Sequence, residues 1–135
     1  MATETLRVGF VGAGSNTRNR HIPGLLAQPN VELVAVATRS EASAVRVCDA
    51  FEEWTGYRPK PYNGEKPWKD VIRDFPDLDV VSVATPDHLH TEVTLDALDN
   101  GSHVLMEKPM CLSIQEADEI ILKAREKGLV VAIDM

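Results

Sequence analysis

The sequence predicts an α/β fold built as a doubly wound parallel sheet with strand order 3-2-1-4-5-6. Three observations predict it. Short apolar segments alternate with segments of helical periodicity along the chain. The strand-like segments are near-continuous runs of Val, Ile, Leu and Ala, which is how strands read when helices cover both sheet faces. The third of them contains Pro59 and Pro61, and the order 3-2-1-4-5-6 puts strand three at an edge, where missing backbone donors are tolerated. Right-handed crossovers complete the topology.

Each element has its own signal. Leu6–Val11 is a short apolar run ending in glycines and predicts strand one. Ile22, Leu25 and Leu26 predict a helix with Pro23 in its first turn. Val31–Ala37 is β-branched and predicts strand two. Ala44, Val47, Cys48 and Phe51 stand at i, i+3, i+4 and i+7, with Ser40 available as N-cap. Tyr57–Asn63 is the proline-bearing edge strand, and Trp68, Val71, Ile72 and Phe75 follow at helical spacing. Asp79–Ala84 predicts strand four, and His90, Val93 and Ala97 a helix stopped by Asn100 and Gly101. His103–Met106 predicts strand five. Ser113 and Glu116 form a capping box before a helix with Ala117, Ile120, Ile121 and Ala124 inward. Gly128 ends that helix, and Leu129–Ile133 predicts the last strand.

The chain of 135 residues reads as one domain, 1–135, since single cores span roughly 100–200 residues. Its net charge of -7 argues against a nucleic-acid surface, which needs clustered positive charge. No apolar run approaches the ~18 residues of a membrane span, and Met1–Thr5 carries an acid and no basic segment of a signal peptide. The expected setting is cytoplasmic. Cys48 and Cys111 stand far apart, so neither a disulfide framework nor a zinc ribbon is expected. His88 and His90 lack a third ligand, with His21 and His103 on other elements, so no metal is expected.

Four segments could carry chemistry. Gly12-Ala-Gly14 follows strand one, where Gly12 permits a tight turn and Gly14 lets a pyrophosphate approach the next helix N-terminus. Thr17 replaces the third glycine of the strict pattern. With Ser15, Asn16, Arg18 and Arg20 it could add phosphate contacts, although the arginines also read as solvated surface. Strand two ends in Thr38-Arg39-Ser40 without the acid that usually receives ribose hydroxyls. Arg39 and Ser40 could hold a 2′-phosphate, or simply form a helix cap and a surface turn. Thr85, Pro86, His88 and His90 sit after strand four, at the edge where open α/β sheets bind ligands. Glu107-Lys108-Pro109 follows strand five, and a lysine there could donate to a developing alkoxide. Cys111 has no base beside it and is not expected to be a nucleophile.

The ordered set Gly12-Ala-Gly14, Val83-Ala-Thr-Pro-Asp-His-Leu-His90 and Gly101-Ser-His-Val-Leu-Met-Glu-Lys-Pro109 resembles the glucose–fructose oxidoreductase/inositol dehydrogenase family (Gfo/Idh/MocA). The likeness runs from strand one to strand six, with Asp87 where the family often has Asn. It implies a Rossmann domain that binds NADP or NAD, with NADP preferred here because Arg39 replaces the acid. It also implies oxidation or reduction of a hydroxyl or carbonyl on a sugar, cyclitol or related small molecule. The resemblance associates Lys108 with substrate and nicotinamide positioning, and is the ground for expecting Thr85, Pro86, His88, His90 and Glu107 at the cofactor.

Family members carry a second α/β domain after strand six, which supplies substrate contacts; this chain stops at Asp134-Met135. A fragment is therefore expected, inactive alone, with a stand-alone dinucleotide-binding module as the alternative. A methyltransferase reading of the glycine loop leaves Glu107-Lys108-Pro109 unexplained. An open last strand also predicts self-association as a homo-oligomer.

Overall fold

In the computed structural model, residues 4–14 and 17–135 are described, apart from the side chains of Arg18 and Leu26. Ser15, Asn16 and those two side chains therefore lie outside the described residues. Six strands form one parallel sheet in the order 3-2-1-4-5-6: β1 Leu6–Val11, β2 Val31–Thr38, β3 Lys60–Asn63, β4 Val80–Val83, β5 His103–Glu107 and β6 Val131–Asp134. Between them run α1 Ile22–Leu26, α2 Glu41–Thr55, α3 Pro67–Asp74, α4 His90–Asp99 and α5 Ile114–Lys127. Pro23 and Pro67 lie at the starts of α1 and α3, where a missing N–H costs nothing. No described helix is long and apolar enough to cross a membrane.

The core confirms why the strands lack alternation. In β2, Leu33 through Ala37 are all buried. Leu33 and Val36 meet Ile22 of α1 and Val47, Cys48 and Phe51 of α2 on one face. Ala35 and Ala37 belong to the opposite core, with Trp68 of α3, Val93 of α4 and Ile120 of α5. Burial pushes the Cys48 thiol up to about 11, and Cys48 and Cys111 are both free. Gly9 makes the second core possible from β1, because a Cβ there would come within 3.1 Å of Leu78.

The edge strand β3 is pinned by side chains. Tyr62 Oη donates to Asp74 Oδ2 at 2.8 Å, and Lys60 Nζ reaches the same oxygen at 3.1 Å. Those two bonds hold the Asp74 carboxyl down at about 2.

Two sequence expectations need correction. The stretch before α1 is a π-helical turn, Thr17–His21, so helical backbone begins earlier than the apolar pattern indicates. Ile121, expected inward on α5, is 40% exposed, and only Ile120 and Ala124 of that helix are buried. The cause is the sheet edge: α5 lies over the last strands, and its outer flank has no described element beyond it. On the opposite face, β4–β6 border a trough of about 510 Å³, lined by Val80, Ser82, Leu105 and Ile133.

Candidate functional site

A cavity of about 650 Å³ opens at the carboxyl ends of β1, β2 and β4, the switch point where the chain turns to opposite faces of the sheet. Gly12 and Gly14 line it. Gly12 has φ +112°, and a Cβ there would lie 2.3 Å from the Ala84 carbonyl oxygen, so the turn can press against β4 only as glycine. A Cβ on Gly14 would meet no described residue within 4 Å. Among the described residues its surroundings are open, which leaves room for a ligand against the backbone.

Thr17 takes a different task from the expected phosphate contact. It is fully buried, and its hydroxyl donates to the Gly12 carbonyl at 3.1 Å. Arg20 also departs from expectation, because it borders the trough on the far side of the sheet.

Arg39 stands exposed on the wall of the main cavity. Ser40 beside it is spent as the N-cap of α2, accepting from Ser43 N–H at 3.4 Å. Ser43, one turn on, lines the cavity instead. Lys66 and Glu65 approach from the end of β3; Lys66 Nζ donates to Glu92 Oε1 at 2.5 Å, and that carboxylate raises the Lys66 pKa.

Thr85, Pro86 and His88 line the opposite wall. The Thr85 hydroxyl is buried without a hydrogen-bond partner among the described residues, an uncommon and costly state for a buried polar atom. A ligand with a donor or acceptor at that wall would satisfy it.

His90 does not reach the cavity. It is fully buried at the start of α4, with Nδ1 2.6 Å from Pro109 O and Nε2 2.9 Å from Thr85 O. It ties the loop after β4 to the loop after β5. Glu107 likewise turns away from the cavity: its Oε1 accepts from His21 Nε2 at 2.9 Å, with both side chains largely buried. Lys108 is exposed between these two attachments. Ligand atoms of His21, Glu107 and Asp134 lie within 4.8 Å of one another, a grouping the sequence does not indicate.

The residues present fit a dinucleotide. They supply a glycine turn, an exposed arginine at the end of β2, and at the far wall a hydroxyl without a partner among the described residues. Ser43 and Lys66 carry no sequence signal as cavity residues and Trp68 reads only as an apolar helix residue, although the strand order already brings the loop after β3 beside that after β2. The contact between His21 and Glu107 spans 86 residues and has no local signal.

The family model described as "Oxidoreductase family, NAD-binding Rossmann fold" (GFO_IDH_MocA) matches residues 6–135. A dTDP-3,4-didehydro-2,6-dideoxy-alpha-D-glucose 3-reductase of Streptomyces antibioticus is 36% identical over 97% of this chain and 37% of its own length. A 1,5-anhydro-D-fructose reductase of Ensifer adhaerens is 46% identical over 93% of this chain and 34% of its own. Among solved structures, a 3-ketoreductase from Actinomadura kijaniata with NADP and TDP-benzene superposes with TM-score 0.80 at 33% identity, covering 97% of this chain and 37% of that one. Biliverdin reductase from Synechocystis with biliverdin and NADP+ gives TM-score 0.81 at 29% identity, covering 96% and 37%. This chain thus spans just over a third of the length of these relatives. The glycine turn after β1, the switch-point cavity and the six-stranded parallel order are the features of that family, and the chain belongs to the Gfo/Idh/MocA oxidoreductases as their NAD-binding Rossmann domain.

Proposed function

We propose that this chain holds NADP for an oxidoreductase acting on a hydroxyl or carbonyl of a sugar, cyclitol or related small molecule. The observation that carries the reading is that Arg39 and the open backbone of Gly14 share one switch-point cavity. Arg39 would hold the 2′-phosphate, the Gly12–Thr17 turn the pyrophosphate, and the Thr85–Pro86 wall the path toward the nicotinamide. Arginine favours phosphate because its planar fork donates two parallel hydrogen bonds. When bound, the nicotinamide supplies or accepts the hydride. Lys108, at the end of the neighbouring strand β5, would contact the nicotinamide end of the cofactor and donate to the substrate oxygen as its charge develops. The sugar-directed names of the 36% and 46% identical relatives support the substrate class, and the NADP complexes of the two solved structures support the cofactor.

The same reading includes a cytoplasmic setting and self-association of the chain. Calorimetric titration with NADPH and NADH tests the central claim. One NADPH per chain, bound more tightly than NADH, is expected. Absence of heat with both cofactors would overturn it.

A further inference from the structure

The tripeptide Glu107-Lys108-Pro109 is gripped from both faces of the sheet. On the α1 side, His21 Nε2 donates to Glu107 Oε1 at 2.9 Å, and its ring meets the Phe10 ring edge-on at 5.9 Å. On the α4 side, His90 Nδ1 lies 2.6 Å from Pro109 O. One attachment thus precedes Lys108 and one follows it. The lysine is left with an anchored backbone and an exposed side chain.

The His21–Glu107 pair is an expensive way to build a core. Its side chains are 5% and 13% exposed, and a buried polar pair commonly gains less stability than apolar groups of the same volume. An aliphatic residue packed on Phe10 would fill the same space at lower desolvation cost. What such a residue would lack is direction, because only a donor can fix where the Glu107 carboxylate points. Reaction rates fall steeply when a reacting group is loosely held.

We infer that His21 is a positioning residue for Lys108, acting through Glu107, with His90 as the matching clamp on the other face. The inference rests on the reading of Lys108 given above.

The test compares two ligands that differ only in the nicotinamide riboside end: NADPH and 2′-phospho-ADP-ribose. The ratio of their Kd values isolates the end of the cofactor that Lys108 would meet. In the parent chain, NADPH is expected to bind about tenfold more tightly, the scale of one hydrogen bond to a charged group. Lys108→Ala and His21→Phe should each bring the ratio close to one, while the affinity for 2′-phospho-ADP-ribose stays within about twofold of the parent. His21→Gln keeps a donor toward Glu107 and should restore most of the ratio. If Lys108→Ala lowers the ratio but His21→Phe does not, the clamp is overturned and the reading of Lys108 stands. If Lys108→Ala leaves the ratio unchanged, the reading of Lys108 falls and the clamp falls with it. Equal weakening of both ligands by His21→Phe would reduce His21 to a structural residue and overturn the inference.

Discussion

The Thr17 hydroxyl donates to the Gly12 carbonyl at 3.1 Å, so the turn after β1 is closed by its own side chain. This accounts for a threonine where the dinucleotide fingerprint carries its third glycine. The usual glycine allows close helix–strand packing. Here the side chain is fully buried and its one donor is satisfied on the spot.

The two remaining glycines should separate stability from binding. Gly12→Ala sets a Cβ against the Ala84 carbonyl at a positive φ and should cost about 3 kcal/mol or more. Gly14→Ala meets nothing and should leave stability within about 0.5 kcal/mol. It should nonetheless weaken NADPH by tenfold or more, since the added methyl occupies the approach to the backbone. Thermal melts with and without NADPH check both. A Gly14→Ala variant that binds like the parent would move the pyrophosphate elsewhere.

Arg39→Ala should weaken NADPH by roughly 10- to 100-fold, the equivalent of about 1.5–3 kcal/mol for a charge-assisted contact. NADH should change by less than about twofold. Parallel loss of both cofactors in a titration would dismiss a 2′-phosphate contact at this side chain.

Thr85→Val replaces a buried hydroxyl that has no partner among the described residues by a methyl of similar shape. Without ligand, the variant should be as stable as the parent or more so, by up to about 1 kcal/mol. With NADPH the order should reverse, and affinity should fall about tenfold. Chemical denaturation at zero and saturating NADPH separates the two effects. If ligand protects both proteins equally, the hydroxyl does not serve the cofactor.

Asp74 gives the chain a specific acid response. Its pKa is lowered from 3.8 to about 2, chiefly by the Tyr62 hydroxyl and then by Lys60. A carboxyl depressed on folding adds stability above its unfolded pKa and loses it as pH falls through the folded value. The advantage of the parent over Asp74→Asn should therefore be full at pH 5 and shrink between pH 4 and pH 2. Urea melts across that range measure the difference directly, and a constant gap would contradict it.

Self-association should depend on concentration and on Ile133 of β6, an apolar side chain that is 36% exposed. Sedimentation of the parent should reveal dimers at high concentration, and Ile133→Lys should shift them to monomer. A parent that stays monomeric would dispose of the β6 interface.

Much of the fold is legible in the sequence because parallel strands buried on both faces leave long apolar runs, and turns between them are punctuated by glycine and proline. Pro59 and Pro61 alone point to the edge position that β3 occupies. The cavity walls at Gly12, Gly14, Arg39, Thr85, Pro86 and His88 follow from the ends of those strands. Motif spacing does not say where a side chain points once the backbone leaves regular structure. Arg20 therefore lands on the opposite side of the sheet, and the Ser40 hydroxyl is consumed by its helix while Ser43 faces the cavity. His21, Glu107 and Asp134 meet only because the topology folds distant segments together.

The uneven helix cover over β4–β6 has a dynamic consequence. β2 is buried between two cores from Leu33 to Ala37, whereas one side of β5 borders an open trough and Leu105 is 37% exposed. Amide protons exchange with solvent through local openings whose free energy tracks the apolar contacts that must break. Protection should accordingly fall along the sheet from β2 toward β6, so that the strand ending in Glu107 breathes more readily than the strand that ends at Thr38.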